Sequence, residues 1–354
     1  MTFSVYVPLL VTLVLAVLAP RAARRPAPRA AAWALACTAL VTAGGWLGAL
    51  ALLAFTGFAQ IPEVAEEGHW SVAALRTEDP VSLSVAAVSA VALATGLASL
   101  GVAAVRQVRH VVWARRECAR MPGDTELAVV DDEVPHAFAL PGAPGRIVVS
   151  RGMLRCLGDL EREALLAHER AHLRGRHHLF QTVWRLTAAA SPPLRPLAEA
   201  GRFVLERWAD EEAAAHIGSR TVVARAVGRA ALASADAARP AALAVTGGAV
   251  PQRVRALLTP PPPPRVLPFV PGALLLALCC ATLANAASES EDLVDTAVRA
   301  QCAADAATTD AGAAGAGAVD GAGVYGDRAG HRPQRARDAC RDHGGAGERV
   351  RHRG

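Results

Sequence analysis

The sequence predicts a mostly α-helical membrane protein, with four transmembrane helices and one α+β domain set between the third and fourth. Three observations carry that prediction. Of 354 residues, 52% are hydrophobic and only 19% charged, and the mean hydropathy is +0.26; this leaves too little charge to coat a soluble protein of this size. Four stretches without charge are each long enough to cross a hydrocarbon core of about 30 Å. A single charged segment, 106–265, carries the alternating and helical patterns of a folded domain. The apolar content excludes disorder for most of the chain. The net charge of +5 is too dispersed to indicate direct nucleic-acid binding. Seven Cys without a CxxC pair give neither a zinc ribbon nor a disulfide framework.

The spans come in order. Residues 1–20 hold no charge before Arg21, 30–62 none before Glu63, 80–105 none between Asp79 and Arg106, and 266–288 none between Arg265 and Glu289. They place spans at about 3–20, 33–58, 82–105 and 266–288. The first reads as an anchor, not a signal peptide, because no basic residue precedes it and its Arg cluster follows it. Arginine placement sets the orientation. Arg21, Arg24, Arg25 and Arg29 crowd 21–29, and Arg106, Arg109, Arg115, Arg116 and Arg120 follow the third span. Loop 63–79 sets Arg76 against five carboxylates. The expectation is an N-terminus outside, 106–265 in the cytoplasm, and 289–354 outside. That last segment, Ala- and Gly-rich beyond 300, reads as a disordered tail. Cys302 and Cys340 within it have the option of pairing in an oxidising compartment.

The domain at 106–265 opens with short strands: LAVV at 127–130, HAFAL at 136–140 and RIVV at 146–149. From Ser150 it reads as helices, interrupted by SPP at 191–193 and ended by five Pro at 260–264. The chemistry sits in DLEREALLAHERAHLRGRHHLF, 159–180, with Asp159 as a candidate N-cap. His168 and His172 are one helical turn apart and project from one face, where two imidazoles can share a zinc ion. Glu169, beside the first, is placed to act on a water. A third ligand is offered by Glu206 on FVLERWADEEAAAH. Asp210, four residues on, would then accept a proton from a ligand imidazole. A solvated acidic face is the alternative for that pair. His216 is a further candidate, for oxyanion stabilisation. His177 and His178 read as a polar helix end. RIVVS (146–150) reads as an edge strand able to hold an extended substrate.

HERAH followed by ERWAD resembles the HExxH…ExxxD signature of gluzincin-type membrane metallopeptidases. AFALPGAPGRIVVSRGML (137–154) resembles the strand and loop preceding their zinc helix, and the closer likeness is to the BlaR/MecR-type family. The resemblance covers 1–288 and is most specific over 136–212. It implies one zinc per chain on His168, His172 and Glu206, catalysis by Glu169 and an orienting Asp210. It also implies a cytosolic protein substrate of the transcriptional-repressor kind. The chain departs from that family in two places. No penicillin-binding domain follows the last span, so the trigger must come from a separate membrane sensor or from loop 63–79. His177 stands where relatives often carry Asp. Two rival readings are an HtpX-like quality-control protease and a non-catalytic membrane receptor.

Overall fold

A computed structural model describes residues 4–78, 82–121, 125–237, 249–260 and 269–316. A 3-10 turn at Ser4–Tyr6 leads into α1 (Val7–Ala22), α2 (Pro28–Phe58), α3 (Pro62–Gly68), α4 (Val72–Glu78) and α5 (Leu83–Arg120). Three strands follow: β1 (Leu127–Val130), β2 (Ala137–Leu140) and β3 (Arg146–Ser150). Then come α6 (Arg151–Cys156), α7 (Asp159–Arg174), α8 (His177–Ala190), α9 (Arg195–Ile217), α10 (Arg220–Ala237), α11 (Ala249–Leu258) and α12 (Val270–Ala316). Among the described residues, four helical stretches are long and apolar enough to cross a membrane: Ser4–Ala22, Pro28–Phe58, Leu83–Arg120 and Val270–Thr308. The chain is a multi-pass membrane protein.

Two of these helices overrun their expected ends. α5 continues to Arg120 because RQVRHVVWARRECAR holds neither Gly nor Pro. α12 runs unbroken to Ala316, so the disorder expected beyond 300 is not found over 301–316; alanine, which dominates there, is the strongest helix former. Residues 317–354, and with them Cys340, lie outside the described residues, as does the proline run after Pro260.

Contacts divide the chain into two compact units. One comprises 1–9, 48–94 and 280–354. Within it Val5, Ala49, Leu53 and Ala286 form one apolar cluster, and Ala59, Leu75 and Ala297 another. Trp70 Nε1 donates to the Ala59 carbonyl at 2.9 Å, tying the short α3–α4 segment to the end of α2.

The other unit comprises 10–47 and 95–279 and contains the sheet. The strand order is β1-β3-β2, with β1 parallel and β2 antiparallel to β3. RIVVS is therefore the central strand, buried at every residue, and not the edge strand expected. Both of its edges are taken by shorter strands whose outer faces are half exposed, and the open edges belong to β1 and β2. The break at SPP falls as expected: α8 ends at Ala190 and Pro192 opens a 3-10 turn. Around that turn Phe180, Trp184, Leu194, Leu197 and Trp208 pack on Ala31, Leu35 and Ala39 of α2, on Ala16 of α1 and on Ala23 just beyond it. Each large side chain buried there contributes about 1.5–3 kcal/mol. The α8–α9 hairpin is thus fixed to two of the apolar helices, and it carries half of the site.

Candidate metal centre

α7 is capped one residue before the expected Asp159. Gly158 is the N-cap, with no side chain to offer, and Glu161 reaches back to accept from its N–H at 3.0 Å. Arg229 also donates to Glu161, at 2.7 Å. Burial works against the Glu161 carboxylate, but these two partners hold its pKa below the ordinary 4.5. Alanines set the spacing to the next helices: Ala164 and Ala167 of α7, Ala213 and Ala214 of α9, and Ala224 and Ala226 of α10 are buried together. Such small side chains let helix backbones approach closely, so short side chains from α7 and α9 can meet.

They meet at three groups. His168 Nε2 and His172 Nε2 stand 3.1 Å apart. The Glu206 carboxylate faces both, Oε2 being 3.5 Å from His168 Nε2 and Oε1 3.5 Å from His172 Nε2. All three ligand atoms fall within 4.8 Å of one another. Donors at zinc–nitrogen distances of about 2.0–2.1 Å in a tetrahedron are about 3.3 Å apart, so the residues fit a zinc ion with a fourth position left open. Two imidazoles and one carboxylate are also the donor set of catalytic zinc sites.

Each imidazole is backed differently. His168 Nδ1 lies 3.0 Å from Asp210 Oδ1, an ion-pair contact outside linear hydrogen-bond geometry. Asp210 is in turn gripped by Arg253 of α11, Nε to Oδ2 at 2.8 Å and Nη2 to Oδ1 at 2.7 Å, while Arg253 Nη1 meets Glu206 Oε2 at 2.9 Å. Burial pulls the His168 pKa down, but the carboxylates of Asp210 and Glu206 carry it up to about 10. His172 goes the other way, to about 4, by burial and by the charge of His168. Two like charges 3.1 Å apart cannot both persist, so with protein groups alone at most one of the two rings is cationic. Against burial, His168 and Arg253 keep the Glu206 carboxyl well below its usual range.

Behind His172 stands His177, its Nδ1 2.7 Å from His172 Nδ1. It is 1% exposed, and its ring lies 4.6 Å from that of Trp208. The expected polar helix end is overturned here. α7 stops at Arg174, Arg176 turns the chain in the left-handed region, and His177 begins α8 pointing inward. Burial and the neighbouring His172 lower its pKa to about 3, so it is neutral and able to accept the His172 Nδ1–H. Gly175 leaves room for it, since a Cβ there would sit 2.5 Å from His177 Nε2.

Glu169, 8% exposed, accepts a hydrogen bond from the Ala139 backbone N–H. Burial raises its pKa above the ordinary carboxylate value. The bond joins the candidate base to the open edge of the sheet. The His136 carbonyl accepts from Ser150 N–H at 3.0 Å, so residues 136, 138 and 140 face β3. Alternation then turns the backbone groups of Ala137 and Ala139 outward. Two cavities flank this edge, and both touch Ala137, His168, Glu169 and Glu206. One, of about 520 Å³, is lined by apolar groups including Met153, Leu165, Val223 and Val227. The other, of about 330 Å³, carries His110, His178, Gln181 and Arg185. His216 is not brought to the site. It is half exposed at the end of α9, where its Nε2 is 3.7 Å from Glu163.

Residues 103–258 match peptidase family M48. The match takes in both ligand helices and Arg253. Among similar proteins, the protease HtpX homologue of Pyrococcus abyssi is 39% identical over 67 residues, 18% of this chain and 23% of its own length. That of Aquifex aeolicus is 37% identical over 98 residues, covering 27% of this chain and 32% of its own length. That of Gemmatimonas aurantiaca is 35% identical over 85 residues, covering 23% and 30%. The chain thus spans between a fifth and a third of the length of the HtpX homologues it matches. No solved structure matches it. The three ligand groups and Glu169 thus lie within the stretch that matches peptidase family M48, in a chain with four apolar helices.

Proposed function

We propose that this protein is a membrane-bound zinc endopeptidase of the HtpX-like kind, with His168, His172 and Glu206 as ligands and Glu169 as general acid–base. The observation that carries the reading is the convergence of the three ligand groups beside a buried Glu169 that is hydrogen-bonded to the open strand β2. Zinc held there supplies Lewis acidity to a peptide carbonyl and acidifies a water. Glu169 takes the proton of the attacking water and passes it to the leaving amine. Arg253 and Asp210 hold Glu206 and His168 in place from one side, and His177 holds His172 from the other. A substrate segment pairs with the outward groups of Ala137 and the Ala139 carbonyl as an added strand, a role first expected of RIVVS. Its side chains then alternate toward the two cavities, favouring an apolar residue on one side of the cleaved bond and a polar or acidic one on the other.

The arginine bias argues for a cytoplasmic domain, with 21–29 on the same side and 63–79 opposite. Cysteine labelling at residues 25, 67 and 151 tests this: 25 and 151 should share one compartment, and 67 the other. The similarity to HtpX homologues favours a broad membrane-protein quality-control role. The narrower role, cleavage of a cytosolic repressor on a cue from a separate membrane sensor, rests on the likeness to BlaR/MecR-type peptidases. Trapping clients with Glu169→Gln in the full chain decides between them. Many unrelated membrane clients support quality control, and one dominant soluble client supports the regulator. A metal-binding chain whose Glu169→Gln form traps nothing and alters no cleavage would leave the receptor reading.

A further inference from the structure

A second concave site lies away from the metal, where α5 passes the turn between α8 and α9. Its volume is about 750 Å³, and it is lined along α5 from Ala98 and Val102 to Arg106 and His110, with Arg185 of α8 and Arg195 of α9 opposite. The twelve helical steps from Ala98 to His110 span about 18 Å along the axis. Arg106 is the first charge after Asp79, so one end of the groove is apolar helix and the other lies where α5 leaves its charge-free stretch. His110 stacks near Trp113, 5.9 Å between centroids, an aromatic pair at the level where membrane helices commonly carry Trp.

Its three arginines are all exposed. Arg151, Arg155, Arg162, Arg170, Arg220, Arg229 and Arg253 each meet a carboxylate. Among the described residues Arg106, Arg185 and Arg195 meet none, and the one hydrogen bond found for Arg185 goes to Gln107 Oε1 at 3.3 Å. The groove is held open by fixed walls. Gln107 Nε2 donates to Thr182 Oγ1 at 2.8 Å, and Gly96 lets the Ala190 carbonyl approach so closely that a Cβ would stand 2.8 Å from it.

We propose that this groove binds an anionic phospholipid, its phosphate among Arg106, Arg185 and Arg195 and an acyl chain along Ala98 and Val102. Guanidinium forks match phosphate oxygens, and basic pockets between membrane helices suit acidic headgroups. The apolar half distinguishes a lipid from a free phosphate. Gln107, His110 and Arg185 line the groove and also the smaller cavity at the metal centre, so a bound lipid forms one wall of the site.

The test uses the full chain in a neutral detergent, with retained lipid read by native mass spectrometry. Phosphatidylglycerol should be retained over phosphatidylcholine of the same chains. Replacing the three arginines by Gln should lower that retention roughly tenfold or more. The same three replaced by Lys should keep most of it, and Arg299→Gln, on α12, should change nothing. Unchanged zinc content in the Gln variant shows that the fold survived. Equal retention of the two lipids, or of phosphatidylglycerol by the parent and the Gln variant, overturns the proposal. So does displacement of the lipid by millimolar inorganic phosphate, which would mark a soluble-anion site. Release of the lipid by an acidic peptide would overturn it in favour of a protein-binding groove.

Discussion

The two flanks of the ligand triad hold chemically identical imidazoles by opposite means. On the α9–α11 side, His168 is backed by a buried ionic lattice in which Arg253 bridges Asp210 and Glu206. On the α8 side, His172 is backed by a neutral histidine packed against Trp208. The first flank draws positive charge to His168 and carries its pKa up to about 10, while burial and the charge so placed on His168 push that of His172 down to about 4. Ligand spacing on a helix brings two nitrogens together. What stands behind His168 decides which of them carries the positive charge, and what stands behind each decides how costly the partner's loss is.

The largest effect expected leaves both flanks intact. Glu169→Gln should keep zinc and cut peptide hydrolysis by about 10²–10⁴, whereas His168→Ala/His172→Ala should lose the metal itself. Metal analysis and cleavage of a casein-type substrate separate the two, and full zinc content in the double variant would remove the site.

Next comes the ionic flank. Asp210→Asn leaves Arg253 partly unpaired in a buried site, which should cost about 3–5 kcal/mol of stability and weaken zinc as well. The neutral flank should behave otherwise. His177→Ala should weaken zinc about 10–100-fold with a far smaller loss of stability. His177→Asp, supplying another acceptor for His172 Nδ1–H, should restore part of it. Zinc titration and thermal unfolding on the same samples test the contrast, and equal stability losses on the two sides would erase it.

The smallest effect concerns the start of α7. The pKa of Glu161 is lower folded than unfolded, so its contribution is complete above about pH 4.5 and is lost as the pH falls through the folded value. Glu161→Gln should cost about 1 kcal/mol at pH 7. Parent and variant should converge as the pH falls through the folded value, and a gap that does not narrow at all with falling pH would show that the effect is packing.

Local signals were enough for much of this molecule. Charge-free length set the four spans, alternation set the three strands nearly to the residue, and SPP set the α8–α9 break. The i,i+4 spacings of His168/His172 and Glu206/Asp210 are properties of a single helix turn, so they stand in the sequence before any packing occurs. Arg253, His177 and the outward edge of β2 did not stand there. Arg253 comes from a helix 43 residues beyond its Asp210 partner. No periodic pattern links the two, and its place follows from how α11 packs against α9 and α10. His177 was misread because a histidine after a run of arginines looks like a helix end. A left-handed turn at Arg176 and the gap at Gly175 turn it inward instead. RIVVS has the composition of any half-buried strand, and composition cannot say which of three strands lies in the middle. That is decided by hydrogen-bond partners on both sides of β3, which exist only once the chain has folded.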